Sequence, residues 1–143
     1  MRFKSSAHAV YNVQYHIVWT PRYRKKLLSG GVGKYVKKVL ENLQGLHGDI
    51  EVKKVNVQPD HVHLIIVIPP RVSVADVVKY MKSKTGKLLN DRFEFIRQAM
   101  RGDEGVWSRG YCVSSIGLNE KIIMRYVEHQ EKKDKGQLKL DLG

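Results

Sequence analysis

The 143-residue chain contains one cysteine, Cys112, and no long hydrophobic run. A single cysteine excludes an internal disulfide, so nothing in the sequence calls for an oxidising compartment. No apolar run approaches the roughly 18 residues of a transmembrane helix, and the N-terminus lacks the apolar centre of a signal peptide. We therefore expect a soluble, cytoplasmic protein.

Acidic residues are scarce as well. Only 14 Asp and Glu oppose 26 Lys and Arg, which gives a formal net charge of +12. In residues 1–48, nine basic residues face one acid, Glu41. Basic clusters of this kind neutralise phosphates and release counterions, so we expect a nucleic-acid partner. A membrane surface is the alternative, but no basic amphipathic helix carries Trp or Phe on its other face.

A phosphate-binding loop is absent too. The segment Gly30-Gly31-Val32-Gly33-Lys34 is superficially similar, but the Walker pattern needs glycine where Leu28 stands. It also needs Ser or Thr where Tyr35 stands. The glycines instead predict the start of a helix.

Hydrophobic periodicity predicts one α+β domain over residues 1–143. The expected strands are 10–20, 50–58, 59–68 and 106–117, and the expected helices are 32–47, 73–90 and Asn119 to about 133. Ser73 with Asp76 resembles a capping box. Residues 91–105 predict a loop with a short helical turn, and residues 134–143 predict a tail that is mobile or adds a strand. This order predicts a ferredoxin-like, RRM-like sheet of four antiparallel strands with helices on one face and a C-terminal helix.

Two histidines enter the most apolar strand, in Pro59-Asp60-His61-Val62-His63-Leu64. Strand side chains alternate, so His61 and His63 share one face about 6.5–7 Å apart. Two imidazoles at that spacing can hold one metal ion. The alternative is a half-buried, hydrogen-bonded pair at a strand end.

The last predicted helix places Tyr126 and Gln130 at positions i and i+4. They therefore project from one face, about 6 Å apart. The alternative for Tyr126 is a tyrosine at the rim of the core that packs on Ile122 and Ile123. We expect His129 to be exposed.

These motifs, together with Trp107-Ser108-Arg109-Gly110-Tyr111 and the chain length, resemble the single-tyrosine (Y1) HUH transposases of the IS200/IS605 insertion sequences. The resemblance covers nearly the whole chain. It implies that Tyr126 is the catalytic nucleophile and that His61, His63 and Gln130 bind a divalent metal. A mixed nitrogen and oxygen ligand set suits Mg²⁺ or Mn²⁺, with Zn²⁺ as an alternative. The resemblance also implies a 5′-phosphotyrosine intermediate, single-stranded DNA with hairpin ends as substrate, and a homodimer whose subunits share active sites.

Basic residues of the first third, together with Arg109, are the expected DNA contacts: Arg22, Arg24, Lys25, Lys26, Lys34, Lys37, Lys38 and Arg109. The segment 22–26 interleaves Tyr23 with four cations, a combination that can stack a base and hold phosphates. A solvated loop is the alternative.

Three other functions remain open. A domesticated relative would nick repeat hairpins instead of moving an element. A non-catalytic RRM-like nucleic-acid-binding module would carry a characteristic aromatic strand, which we do not find. A carboxylate-dependent transposase or nuclease needs several acids that converge on two metals, whereas the acids here fall mostly on predicted loops and outer helix faces.

Overall fold

The computed structural model of the chain describes residues 4–5, 10–11, 13–43, 48, 50–102, 105–115 and 120–136. Its strands are β1 (Lys4–Ser5), β2 (Val10–Tyr11), β3 (Gln14–Trp19), β4 (Glu51–Gln58), β5 (His61–Val67) and β6 (Cys112–Ser114). Its helices are α1 (Gly31–Glu41), α2 (Val74–Arg92), α3 (Glu94–Ala99) and α4 (Glu120–Asp134), and a 3-10 turn, Arg22–Arg24, precedes α1. Within these ranges no helix is long and apolar enough to cross a membrane.

Four strands form one antiparallel sheet in the order β4-β5-β3-β6. β4 and β5 form a hairpin around the turn at Pro59 and Asp60, as predicted. Strands β1 and β2 pair separately. Helix α1 connects β3 to β4, and helices α2 and α3 connect β5 to β6. This is the ferredoxin-like α+β fold, so the predicted fold is confirmed.

The helices α1 and α2 pack on one face of the sheet. Val62, Leu64 and Ile66 alternate along β5 and are at most 1% exposed, and Ile17 and Trp19 lie beside them in β3. The helices contribute apolar residues at helical spacing, namely Val32, Val36 and Leu40 from α1 and Val77, Val78, Met81 and Leu89 from α2. Burial of this face determines which β5 residues point away from the core.

The intervening positions of β5 belong to the opposite face of the sheet. Val18 pairs with His63 and His16 pairs with Ile65, so these four side chains share that face. His61, two residues before His63, lies on it as well. The predicted common face of the two strand histidines is therefore confirmed.

The strand predicted for 106–117 is much shorter, because β6 contains only Cys112–Ser114. Trp107 makes an isolated bridge with Pro21, and its buried indole donates to Thr85 Oγ1 at 3.0 Å. Gly110, with φ of +90°, interrupts the extended backbone. The strand prediction was wrong before Cys112, where Trp107 packs into the core. Residues 116–117 lie outside the described residues.

Other boundaries differ by a few residues. The strand predicted for 10–20 is divided into β2 and β3, and α1 ends at Glu41, where Asn42 Nδ2 donates to Lys38 O at 2.9 Å. Ser73 Oγ accepts from the Asp76 backbone N–H at 3.3 Å and caps α2, as expected. Residues 44–47, the expected cap Asn119 and the tail from residue 137 onward lie outside the described residues.

Candidate active site

His61, the first candidate metal ligand, opens β5 and is held by the preceding residue. Asp60 Oδ1 lies 2.9 Å from His61 Nδ1, and each residue is only 9% exposed. A carboxylate at Nδ1 makes that nitrogen the donor, so the ring's lone pair is at Nε2. Asp60 thus orients the imidazole in the way that a hydrogen-bonded carboxylate commonly orients a metal-binding histidine.

His63, the second candidate ligand, has an unsatisfied ring nitrogen. Its Nε2 is buried and has no hydrogen-bond partner among the described residues. Its ring stacks on His16 with centroids 5.7 Å apart. Burial lowers the pKa of His63, and its neighbours His16, His61 and Lys54 lower it further, because a positive charge on any of them would repel a second one on His63. The imidazole is therefore neutral at pH 7 and keeps a lone pair that a metal can use.

Arg24 connects the turn before β5 to helix α4. Its Nε donates to Asp60 Oδ2 at 2.8 Å, and its Nη1 donates to Glu131 Oε2 at 3.3 Å. Burial acts to raise the pKa of Asp60, but the hydrogen bonds and charges of Arg24 and His61 outweigh it and lower that pKa. Asp60 is therefore ionised at neutral pH, and a continuous series of contacts links His61 to α4.

The 3-10 turn binds α4 at a second point. The Tyr23 backbone N–H donates to Asp134 Oδ2 at 2.9 Å. Tyr23 and Arg24 have φ values of 60° and 54°, in the left-handed region that non-glycine residues rarely adopt. Such backbone persists where the surrounding contacts determine it. We call the contacts of residues 23 and 24 with α4 the α4 clamp. These two residues of segment 22–26 therefore have a structural role.

Tyr126 and Gln130 contact each other on α4, as their spacing predicted. Gln130 Nε2 donates to the Tyr126 hydroxyl at 3.0 Å, and Gln130 Oε1 accepts from Ser108 Oγ at 3.3 Å. Gln130 is 4% exposed. Ser108 Oγ also lies 2.7 Å from Asp134 Oδ1, one turn further along α4. The segment before β6 therefore holds the amide of Gln130 in place.

The Tyr126 phenol is strongly disfavoured as an anion in this environment. Burial raises its pKa well above the ordinary value, and the hydrogen bond from Gln130 only partly opposes that shift. The neighbouring carboxylate of Asp134 also contributes to the increase. A neutral phenol is a weak nucleophile, so an attack by Tyr126 requires either a base that takes the phenol proton or a positive charge that stabilises the anion.

The residues present fit a divalent metal. Asp60 leaves His61 Nε2 available, and His63 Nε2 lacks a partner. Over the described ranges, no third His, Cys, Asp or Glu joins them in a metal-binding cluster. The hydrogen bonds described for Gln130 run to Tyr126 and Ser108.

The basic residues expected to contact DNA lie in different environments. Arg24 is engaged by the α4 clamp, and Lys25 Nζ donates to Ala99 O at 2.9 Å. Lys34 and Lys38 line a groove of about 750 Å³ between α1 and α2. Arg22 is half-buried, and the remaining candidates are exposed, namely Lys26, Lys37 and Arg109. His129 is exposed, as expected.

Sequence reasoning missed the residues that position the others. Asp60 contacts His61, and Ser108 contacts Gln130. Asp134 accepts a hydrogen bond from the 3-10 turn. The only signal in the sequence was that Asp60 directly precedes His61. The partners of Ser108 and Asp134 come from other elements, so no local spacing indicates them.

Comparison with known proteins extends over most of the chain. Residues 9–130 match the family described as "Transposase IS200 like". The transposase for insertion sequence element IS200 of Salmonella typhimurium is 33% identical over 132 residues, covering 92% of this chain and 86% of that protein. The ISDra2 transposase TnpA of Deinococcus radiodurans is 28% identical over 135 residues, covering 94% and 95%. A crystal structure from Deinococcus radiodurans, 28% identical, superposes with a TM-score of 0.76 over 89% of this chain and 97% of that chain.

Proposed function

The chain belongs to the IS200-like transposase family, whose members cleave and transfer DNA, and on that premise we propose that Tyr126 is its nucleophile on single-stranded DNA. The tyrosine lies on α4, beside Gln130 and close to the segment that precedes β6. A nucleophile on a helix with several fixed contacts is held in a defined position, which favours attack on a bound phosphodiester.

The proposed reaction is a transesterification. The Tyr126 hydroxyl oxygen forms a bond to the phosphorus of a DNA phosphodiester, and the bond from that phosphorus to the 3′ oxygen breaks. The 3′ oxygen keeps the electron pair and takes up one proton, while the phenol loses one. The products are a 5′-phosphotyrosine and a free 3′ hydroxyl. Rejoining is attack by a 3′ hydroxyl on the phosphotyrosine, so one ester replaces another without ATP.

His61 and His63, through Nε2, and Gln130, through its amide oxygen, are the groups we propose to hold Mg²⁺ or Mn²⁺. Bound there, the cation would withdraw charge from the non-bridging phosphate oxygens and orient the phosphate for in-line attack. Asp60 orients His61 for this purpose. The Gln130 amide oxygen lies 3.3 Å from Ser108 Oγ, whose proton also has the Asp134 carboxylate as an acceptor at 2.7 Å, so the amide oxygen has a lone pair to offer a cation.

One observation carries the proposal. Gln130 and Tyr126 form a 3.0 Å hydrogen bond on α4, and Arg24 connects the same helix, through Glu131, to Asp60. Asp60 in turn contacts His61. The proposed nucleophile Tyr126 and the proposed ligands Gln130 and His61 thus lie on elements that these contacts join directly. A non-catalytic binding module has no need of this arrangement.

We also propose that the DNA carries hairpins at the ends of the element and that the active protein is a homodimer. The net charge of +12 supports a DNA partner. In the chain described here, α4 is bound by its own clamp. A helix exchanged between subunits would make the same contacts with the other subunit, so shared active sites need no new interface chemistry.

The test detects the covalent intermediate. Denatured, end-labelled genomic fragments that contain the element are incubated with the protein and Mn²⁺ or Mg²⁺, and a denaturing gel separates the protein–DNA adduct. The adduct is expected with single-stranded DNA and to be absent with EDTA or native duplex. Tyr126→Phe removes the nucleophile, and Tyr35→Phe, which alters a tyrosine that packs on Phe93, is the matched control.

Two outcomes decide the proposal. Loss of the adduct in Tyr126→Phe, with retention in Tyr35→Phe, supports the assignment of Tyr126. An adduct that persists in Tyr126→Phe would remove this residue from its role. Tight DNA binding without any adduct would contradict the enzymatic proposal and favour the binding module.

A further inference from the structure

A separate concave site lies between α2 and the segment 105–111. Its volume is about 510 Å³, within the range of roughly 300–1,000 Å³ typical of ligand pockets. Five basic residues and no acidic residue are among its described lining residues, and the basic ones are Arg22, Lys79, Lys82, Lys87 and Arg109. We call this site the α2 pocket. The transesterification proposed above makes no use of it.

Two of these cations, Arg22 and Lys82, are half-buried. Arg22 Nε has no hydrogen-bond partner among the described residues. Lys82 Nζ donates to the neutral carbonyls of Ser108 at 2.7 Å and Gly110 at 2.9 Å. Burial, together with the positive charge of Arg22, lowers the pKa of Lys82 to about 8. The carboxylate of Asp134 offsets part of this decrease, but five basic residues and no acidic residue among the described lining leave a positive charge that favours an anionic ligand.

One side of the pocket is aromatic, where Tyr111 is partly exposed and Trp107, which is only 6% exposed, contributes the small accessible part of its side chain. The Trp107 indole is fixed by its hydrogen bond to Thr85 at 3.0 Å and by an edge contact with Trp19, whose ring centroid is 5.9 Å away. Rigid aromatic side chains beside cations are the usual means by which proteins bind the bases of single strands. A simple inorganic anion would leave this aromatic side unused.

Gly86 keeps the pocket open. It lies inside α2, where glycine is less favourable than any residue except proline. A Cβ at this position would lie 3.6 Å from Trp107, an ordinary contact, so packing does not require glycine. Gly86 also lines the pocket, and a longer side chain there would reduce the space for a ligand.

The pocket adjoins the candidate active site. Ser108 and Gly110 both line it. Ser108 Oγ donates to Gln130 Oε1 at 3.3 Å, and a Cβ built on Gly110 would lie 3.3 Å from Gln130 Nε2. A ligand in the pocket therefore contacts the same short segment that holds Gln130.

We propose that the α2 pocket binds one unpaired nucleotide of the single-stranded DNA substrate, with its phosphate between Arg22 and Lys82 and its base against Tyr111, beside the small accessible part of Trp107. A base held in a duplex cannot enter such a site, so occupancy requires a single strand. The choice of DNA as ligand rests on the function proposed above, whereas the preference for an anion with an aromatic group rests on the pocket itself.

The direct test is photochemical crosslinking on the full chain in EDTA, which separates binding from cleavage. The probe is a single-stranded oligonucleotide in which iodouracil replaces thymine, and crosslinked peptides are identified by mass spectrometry. Crosslinks are expected at Trp107 or Tyr111, and they are expected to disappear when the probe is annealed to its complement. Crosslinks found only at other residues would overturn the proposal.

Substitutions at Gly86 test the shape of the pocket. Gly86→Leu is expected to weaken single-strand binding about tenfold, the loss expected for one stacked base, and to remove the crosslink. Gly86→Ala, which improves helix propensity but adds only one methyl group, is the matched control and is expected to bind within about twofold of the wild type. Unchanged affinity in Gly86→Leu would contradict the proposal.

A charge substitution decides the case if Gly86→Leu does not fold. Lys87 lines the pocket and is exposed, and Lys53 is exposed on β4. Lys87→Glu is expected to weaken binding more than Lys53→Glu and to lower the crosslink yield. Equal effects of the two substitutions would indicate only general electrostatic attraction and would overturn the specific site.

The failure of this proposal can be distinguished from failure of the enzymatic one. Crosslinks at Trp107 or Tyr111 without any Tyr126 adduct would support the pocket and contradict the proposed reaction. A Tyr126 adduct together with undiminished binding by Gly86→Leu would support the reaction and contradict the pocket.

Discussion

Replacing Arg24 by methionine removes the link between the β5 turn and α4 while keeping an unbranched side chain. The Arg24 and Asp60 side chains are 23% and 12% exposed, and that of Glu131 is 33% exposed. A largely buried pair loses roughly 3–5 kcal/mol when one partner is removed, whereas an exposed pair contributes at most about 1 kcal/mol. Since solvent partly screens Arg24, we expect Arg24→Met to lower the free energy of unfolding by about 3 kcal/mol.

Urea unfolding followed by circular dichroism measures this loss. In a chain of 143 residues, about 3 kcal/mol corresponds to a decrease in Tm of roughly 10 °C. Arg24→Lys, which can pair with one carboxylate at a time, is expected to lose about half as much. Arg101→Met, at an exposed position, is the control and is expected to change stability by less than about 0.5 kcal/mol.

The pH dependence identifies the partner. The pKa of Asp60 is lowered in the folded protein. As the pH falls below about 4, Asp60 is therefore protonated in the unfolded chain before it is protonated in the folded one. The stabilisation by Arg24 is therefore fully present above about pH 5 and is lost as the pH falls through the lowered pKa of Asp60. The difference between the wild type and Arg24→Met is expected to shrink over that interval. A difference near zero at neutral pH, or one that stays constant in acid, would refute the reasoning.

Three further predictions concern the site. Mixing Tyr126→Phe with His61→Ala subunits is expected to restore adduct formation. In a mixed dimer with exchanged α4 helices, one site would combine the intact His61 of the first variant with the intact Tyr126 of the second. If the mixture stays inactive, each site lies within one chain. His63→Ala is expected to weaken Mn²⁺ binding at least tenfold by calorimetry, with the exposed His129→Ala as control; equal affinities would show that His63 is no ligand. The pKa of Lys82 is about 8 in the folded protein and about 10.4 in the unfolded chain, so between these pH values the unfolded chain binds more protons. The Tm of the wild type is therefore expected to rise relative to that of Lys82→Met over this interval. Plots of Tm against pH that run parallel for the two proteins would contradict the lowered pKa of Lys82.

The parts of the site that sequence could predict are those set by local periodicity. His61 and His63 share a face because strand side chains alternate, and the structure confirms it. Tyr126 and Gln130 meet because residues four apart are neighbours on a helix, and their 3.0 Å contact follows. Neither placement depends on how the elements pack against each other.

Contacts between distant segments could not be predicted in this way. Arg24 was expected to bind DNA as one of several loop cations, yet it joins Asp60, 36 positions away, to Glu131, 107 positions away. The Tyr23 amide and Asp134 are 111 positions apart. A charge in a sequence carries no information about which opposite charge will lie beside it once the chain has folded.

The strand predicted around Trp107 failed for a related reason. Alternation from Trp107 to Tyr111 is typical of a strand, but the indole buries more apolar surface in the core, against Trp19 and beside Thr85, than it could at a sheet edge. The resulting departure from the sheet opens the α2 pocket, whose lining combines Arg22 with residues of α2 and of segment 105–111. Local pattern alone cannot indicate a cavity.

The sequence by itself determined the α+β class, the β4–β5 hairpin, the common face of His61 and His63 and the pairing of Tyr126 with Gln130, because these follow from backbone periodicity over a few residues. Only the tertiary structure decided that Arg24 holds α4, that Ser108 holds Gln130 and that cations and aromatic side chains converge on the α2 pocket. These features arise when burial of the core brings segments far apart in the chain within hydrogen-bonding distance.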